Sequence, residues 1–306
     1  MKQVGNTILA KGGNHILAKR DNSAWPKGSK LSGFSIRLIK AVVALLAGAA
    51  LSVSGLQMQT LFRNPLAGPY VLGISSGASL GVALVVLAGV GSSIGIAGAA
   101  WVGAAAVLIV ITAVGRRIKN IMVILILGMM FSSGVGAVVQ ILQYFSHEES
   151  LKTFVIWTMG SLGDVTLPQL TLLGLSVAVG LLLAVLTIKP LNLLLFGEEY
   201  AVTMGLDIRH SRGLLFLSTT LLAGTITAFC GPIGFIGLAI PHVTRILFQN
   251  SDHRVLLPGT TLSGASILLF CDVISKIFTL PINTITALLG IPIVVWVVLR
   301  NKSITV

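Results

Sequence analysis

The sequence predicts an all-α, polytopic transmembrane helical bundle, and three observations carry the prediction. Hydrophobic residues make up 55% of the chain and charged residues 10%, against about 25% charged in an ordinary globular domain. The apolar residues come in blocks close to the length that crosses a bilayer, about 20 residues, rather than in amphipathic stripes. Glycines, 34 in all, recur inside these blocks. Each costs a soluble helix roughly 1 kcal/mol relative to Ala, whereas in lipid small residues let helix backbones approach closely.

Nine spans follow in order, at about 36–58, 69–89, 94–114, 121–144, 168–188, 213–230, 234–240, 255–274 and 283–299. The first two are joined through "RNPLAGPYVLGISSGASLG", which starts at Arg63. Pro65 and Pro69 disfavour helix in the residues before them, so this junction is a tight turn. Gly73, Gly77 and Gly81 then form a small-xxx-small packing seam. Between the fourth and fifth spans, "LKTFVIWTMGSLG" (151–163) is too short to cross and reads as an interfacial helix with Trp157 at headgroup depth. The seventh span, in "CGPIGFIGLAIPH", has Pro232 and Pro241 at either end of a short apolar core. Broken helices at membrane depth are tolerated only against protein or a water-filled path, so both breaks are read as part of a translocation region.

Basic residues orient the bundle. With the C-terminus inside, the inner loops hold eleven Lys and Arg, Arg63, Arg117 and Arg209 among them, and the outer side four: Arg37, Lys40, Lys152 and Lys276. This is a positive-inside pattern. It accounts for the formal net charge of +12 without nucleic acid, because the cations sit in short loops. Residues 1–35 form a polar tail with six basic residues and a near-repeat, "GNTILAK" and "GNHILAK". It lacks the apolar core of an export signal and cannot bury enough apolar surface to offset ordering entropy, so it is expected to be disordered. Nine spans place this cationic tail outside. Either it lies inside and the span count is one short, or a first helix is missing.

The chemistry-bearing residues exclude several classes. No G-x-x-x-x-G-K-[ST] phosphate loop occurs. Of the nine acids, Asp272 alone falls within a span, with Lys276 one turn away. Cys230 and Cys271 lie in apolar spans and read as small hydrophobes. The "SHEES" loop (146–150) places three adjacent polar residues that cannot all face one ion, so no metal site and no catalytic residues are assigned. A transporter with neither a nucleotide site nor a proton relay borrows its energy from a partner. The inner loop 189–212, "KPLNLLLFGEEYAVTMGLDIRHSR", is long and amphipathic and reads as two short helices separated near Gly197 or Gly205. Glu198 and Glu199 suit the N-terminus of the second. From the loop alone, a partner-docking surface and an ordinary surface-lying helix stand level.

Five stretches then carry a family resemblance: "GAALSVSGLQMQTLFRNPLAGPYVLGISSGASLG", "LNLLLFGEEYAVTMGLDIR", "AFCGPIGFIGLAIPHVTRIL", "DHRVLLPGTTLSGASILLFCDVIS" and "LPINTITALLGIPIVVWVVL". In this order, over about 36–299, the chain resembles the FecCD-like permeases, membrane subunits of type II ABC importers for ferric siderophores, haem and cobalamin. The family has ten spans, so the resemblance implies that the usual first helix is absent and that 36–306 is the permease domain. It also implies a homodimer in the bacterial cytoplasmic membrane, with the pathway at the dimer interface. Two cytosolic ABC ATPase subunits would bind ATP and Mg, this chain itself holding no cofactor, and an extracytoplasmic binding protein would deliver substrate.

Residue by residue, Leu194, Phe196, Gly197, Glu198, Glu199, Met204, Gly205 and Arg209 match the coupling segment that meets the ATPase. Arg37, Lys40 and Lys276 match the outer cations that grip acidic side chains of the binding protein. The family often has Arg-Leu-Pro-Arg at the first of these sites. Ile39 and Lys40 depart from it, and a lysine gives a point charge without the bidentate fork. Asn64 and Leu66 are candidates for the inner mouth of the pathway, with Asn120, Ile121 and Met122 as its second rim; both turns also read as simple connectors. The alternatives to an importer permease are a secondary carrier or channel and a non-transporting membrane scaffold.

Overall fold

The structure, a computed structural model, describes residues 29–89, 95–115, 117–118 and 120–300, and every regular element among them is helical. In chain order these are α1 (Ser29–Leu61), α2 (Ile74–Val86), α3 (Gly95–Gly115), α4 (Ile121–Phe145), α5 (Glu148–Thr158), α6 (Leu167–Leu186), α7 (Ile188–Leu194), α8 (Glu198–Thr203), α9 (Ile208–Cys230), α10 (Ile236–Phe248), α11 (His253–Phe278) and α12 (Ile282–Arg300). Six of them, α1 from Arg37 onward, α3, α4, α6, α9 and α11, are long and apolar enough to cross a membrane. Three shorter apolar helices, α2, α10 and α12, stand at the other expected spans. The expected tail lies outside the described residues as far as position 28, and helix is already under way at Ser29, ahead of the expected start at Ile36. The chain divides into two units, Met1–Leu38 and Ile39–Val306, and the second holds the bundle.

Burial ranks the spans. Of their apolar windows, 61% of α1 and 72% of α9 lie inside the protein, against 22–28% for α3, α4, α6 and α11. The inner half of α1 is buried on all sides, from Val43 through Phe62 apart from Leu45 and Leu46. Two glycine contacts permit this. A Cβ on Gly48 would lie 2.1 Å from the Gly264 carbonyl oxygen of α11, and one on Gly55 would lie 1.6 Å from that of Gly237 in α10.

The second contact has a further cause. Pro241 lies inside α10, where its missing N–H cannot bond the carbonyl four residues back, that of Gly237. The carbonyl so released is the one that packs on Gly55. Here the structure corrects an expectation: Pro241 does not end the seventh span, since α10 runs through it to Phe248.

The second span also starts later than expected. α1 closes with Arg63 in the left-handed region (φ 48°), and residues 64–73 run irregularly until Ile74. Gly77 and Gly81 sit in a seam with α3: a Cβ on Gly77 would lie 2.6 Å from the Gly103 carbonyl oxygen, and one on Gly81 would lie 2.1 Å from that of Ala99. Gly73 is not part of that seam. It precedes α2 in the left-handed region (φ 81°) and lies against Ser132 and Phe131 of α4.

Gly55→Ala is expected to destabilise the fold by about 2 kcal/mol or more, because the neighbour it meets is backbone and cannot yield. Gly134→Ala, with open space around its site, is expected to leave stability unchanged. Thermal melting of the detergent-solubilised proteins checks both.

Candidate functional site

The face expected from the charge pattern to lie inside is built around α7 and α8. Gly197 separates them in an extended backbone of positive φ (105°) that suits glycine, and Glu198 and Glu199 open α8. Leu191 and Leu194 are buried, so Leu194 anchors the segment and does not present itself to a partner. Phe196, Tyr200, Val202 and Met204 are exposed and leave an apolar patch on the inner side, with the rings of Phe196 and Tyr200 5.4 Å apart. Gly205 (φ 81°) is exposed and turns the chain towards α9, which Asp207 caps by accepting from the His210 N–H.

The two glutamates differ in kind. Glu198 accepts from Arg212 Nη2 at 2.6 Å on each oxygen and from Nε at 3.0 Å. Arg212 Nη1 also donates to the Ile118 carbonyl at 3.2 Å, so one guanidinium ties α8, α9 and the α3–α4 connection together. Glu199 is exposed. Arg209 is exposed beside His210, at the mouth of a cleft of about 600 Å³ between α3 and α9.

The turn after α1 and the start of α4 use the same device. Asn64 Oδ1 accepts the Leu66 N–H and Asn120 Oδ1 accepts the Met122 N–H, each at 2.9 Å. Both asparagines thus hold backbone, while Leu66 and Met122 are exposed and Ile121 is buried. Leu66 borders a second cleft, of about 410 Å³, with Tyr70, Met129, Ser132, Phe235 and Leu238.

Phe235 stands in the left-handed region (φ 65°) in the break between α9 and α10. The backbone donors of that break find side-chain partners: Ile233 N–H donates to Tyr70 Oη (3.3 Å) and Gly234 N–H to Asn283 Oδ1 (3.0 Å). Unwound backbone inside a bilayer needs such substitutes. Sequence reasoning singled out the break but missed Tyr70 and Asn283. Their signal was a polar tip flanked by proline, in "GPYV" and "LPINT".

It also missed a buried polar junction at the inner end of α1. Gln59, Thr60, His242 and His253 are all at most 6% exposed. Gln59 accepts from Arg245 Nη1 (2.7 Å) and donates to the Leu238 carbonyl (2.9 Å). Thr60 meets His253 Nε2 at 2.9 Å, and Asn192 of α7 bonds both His253 and Asp252. Asp252 caps α11, and its carboxyl is held below the usual range by the Arg254 N–H and the Asn192 amide. The visible signal was polar side chains in apolar helices, "GLQMQTL" and "AIPHVTR".

On the outer face Lys40 and Lys276 line one cleft of about 210 Å³ with Ser161, Gly163 and Ser275. Lys40 Nζ lies over Gly163, where a Cβ would come within 2.7 Å. Lys276 pairs with Asp272 on α11 and keeps 47% of its side chain exposed. Arg37 is exposed in the other unit of the chain.

A family model, that of the FecCD transport family, matches residues 10–300. The chain is 37% identical over 283 residues to the hemin transport system permease protein HmuU of Yersinia pestis, covering 88% of this chain and 83% of that one. It is 40% identical over 276 residues to the vitamin B12 import system permease protein BtuC of Klebsiella pneumoniae, with the same two coverages. Among solved structures, an inward-facing metal-chelate type ABC transporter superposes with a TM-score of 0.81 at 30% identity over 90% of each chain. PsaBC from Streptococcus pneumoniae shares the fold, with a TM-score of 0.62 at 20% identity over 87% of this chain and 92% of that one.

Glu198→Ala removes the carboxylate partner of a guanidinium that is 7% exposed, at an expected cost of about 2 kcal/mol. Glu199→Ala, at an exposed site, is expected to cost less than about 0.5 kcal/mol. Melting temperatures of the two variants, with proteolysis to follow α8, separate them.

Proposed function

Because the chain belongs to the FecCD transport family, as a multi-pass membrane permease, we propose that it is the membrane-spanning subunit of an ATP-driven importer in the bacterial cytoplasmic membrane. Its cargo class is an iron complex, haem or a ferric siderophore, or cobalamin. The relatives named for hemin and vitamin B12 support that range. Two copies form a homodimer around the pathway, two cytosolic ATPase subunits bind ATP and Mg, and an extracytoplasmic protein delivers cargo.

The observation that carries this reading is the inner apolar patch of Phe196, Tyr200 and Met204. It sits on a short helix fastened by the Glu198–Arg212 pair, in a chain without a phosphate loop. An exposed apolar patch in cytosol marks a partner. The cleft beside Leu66, walled by the irregular segments 66–71 and 233–235 together with α4 and α10, supplies one half of a pathway that a second copy closes. The carrier alternative needs a free intramembrane carboxylate, and Asp272 is held by Lys276.

On this reading the purified chain neither binds nor hydrolyses ATP. Hydrolysis appears when the ATPase is added in lipid and rises with the loaded binding protein. Phe196→Ala with Met204→Ser is expected to lower ATPase co-purification about tenfold, by loss of buried apolar contact. Import driven by a proton gradient with no ATPase present would overturn the reading.

Lys40→Glu with Lys276→Gln, chosen to avoid like charges beside Asp272, is expected to weaken binding-protein association and flatten its dependence on salt. Titration at low and high ionic strength is the measurement. An unchanged affinity and slope would make both lysines ordinary interfacial cations.

A further inference from the structure

The inner polar junction has a direction. Asn192 Nδ2 donates to Asp252 Oδ1 at 2.7 Å, which orients the amide so that its oxygen faces His253. That oxygen accepts from the His253 backbone N–H (2.9 Å) and from ring Nδ1 (2.7 Å). With the ring proton on Nδ1, Nε2 of the neutral imidazole is an acceptor, and the Thr60 hydroxyl stands 2.9 Å from it and 3.0 Å from the Leu56 carbonyl, sharing its one proton between them. The orientations of the amide and the imidazole, from Asp252 to Nε2, are thereby set. From the neighbouring residue a second branch continues. Gln59 bonds α10 at Leu238 and at Arg245, on either side of His242, and His242 Nε2 donates to the Pro65 carbonyl at 2.8 Å. Arg63, at the start of the same turn, lies over Gly197 between α7 and α8.

We propose that Asn192, His253 and Thr60 are positioning residues that carry a displacement of α7 to the inner end of α1 and, through Gln59 and His242, to the Pro65 turn beside the cleft. The inference rests on reading α7 and α8 as the ATPase docking element. Apolar contacts are non-directional and slide. A buried hydrogen-bonded chain does not, because each broken link leaves a desolvated donor or acceptor unpaired. Asn192, His253 and Thr60 stand in series on one branch, beside a second α7–α1 bond from Gln57 Nε2 to the Thr187 hydroxyl at 3.2 Å.

The test uses the permease assembled with its ATPase in nanodiscs. Leu66→Cys serves as a reporter on the exposed turn, and the native Cys230 and Cys271 are buried. The labelling rate by a membrane-impermeant maleimide is read with and without ATP and vanadate. In the reporter background ATP is expected to change that rate about fivefold or more. Thr60→Val, which keeps shape and removes the hydroxyl, is expected to cut the change to half or less while melting temperature and ATPase co-purification stay near the reporter's.

His253→Gln retains an amide where Nε2 stands, and His253→Asn one where Nδ1 stands. Links in series on one branch make each as large a loss as Thr60→Val, and the pair Thr60→Val with Asn192→Leu no worse than either alone. Losses that add would mean independent structural contacts and overturn the inference. So would a full ATP response in Thr60→Val, or none in the reporter when the assembled complex hydrolyses ATP. If the ATPase does not assemble with the unmutated chain, the docking reading falls, and this inference with it.

Discussion

The architecture depends on the enclosure of one helix. α1 is wrapped by protein along its inner half, and enclosure in a bilayer demands small residues at each crossing and a partner for each polar group. Gly48 and Gly55 meet the first demand, against Gly264 and Gly237. Ser52, Gln57, Gln59 and Thr60 meet the second, bonding to α11, to α9, to α10 and again to α11. These side chains sit among residues as apolar as Leu51, Leu56 and Met58, all fully buried. The helix is therefore a spine onto which the broken α10 and the capped α11 are fastened. The irregular segments that wall the cleft inherit their positions from it.

Much of this was legible in the sequence, for a definable reason. Long apolar blocks declare spans, because a block is a sum over many residues. The two-helix form of the inner loop was legible at Gly197 and the acids after it. Tertiary pairing was not. Nothing local distinguishes Glu198 from Glu199; the difference comes from Arg212, fourteen positions on. The extent of α10 was misjudged because a helix packed among others can run through a proline, here with the freed Gly237 carbonyl set close over Gly55. Gly73 shares the four-residue spacing of Gly77 and Gly81, yet it supplies a left-handed backbone and a close approach to α4, not a place in the α2–α3 seam.

The inner and outer faces follow different rules. Outside, Lys40 and Lys276 stand at a small cleft and remain in reach of solvent, which suits long-range attraction and fast association. Inside, a junction of buried and bonded polar groups lies beneath loops that expose Glu199, Arg209 and His210 beside the apolar Phe196, Tyr200 and Met204.

The composition of α9 bears on how the protein is made. Its window has a mean hydropathy of 1.7, below the 2.2–2.3 of α3, α4 and α6, and it buries Ser211, Arg212, Ser218, Thr219, Thr220, Thr225 and Thr227. A nascent helix of that kind partitions weakly from the translocation channel into lipid by itself. The helices it packs against, α2, α3 and α6, all precede it in the chain and are already in the bilayer when it emerges from the ribosome. The polar side chains then leave the channel for protein instead of hydrocarbon, so the linear order of the helices also serves as a schedule of insertion.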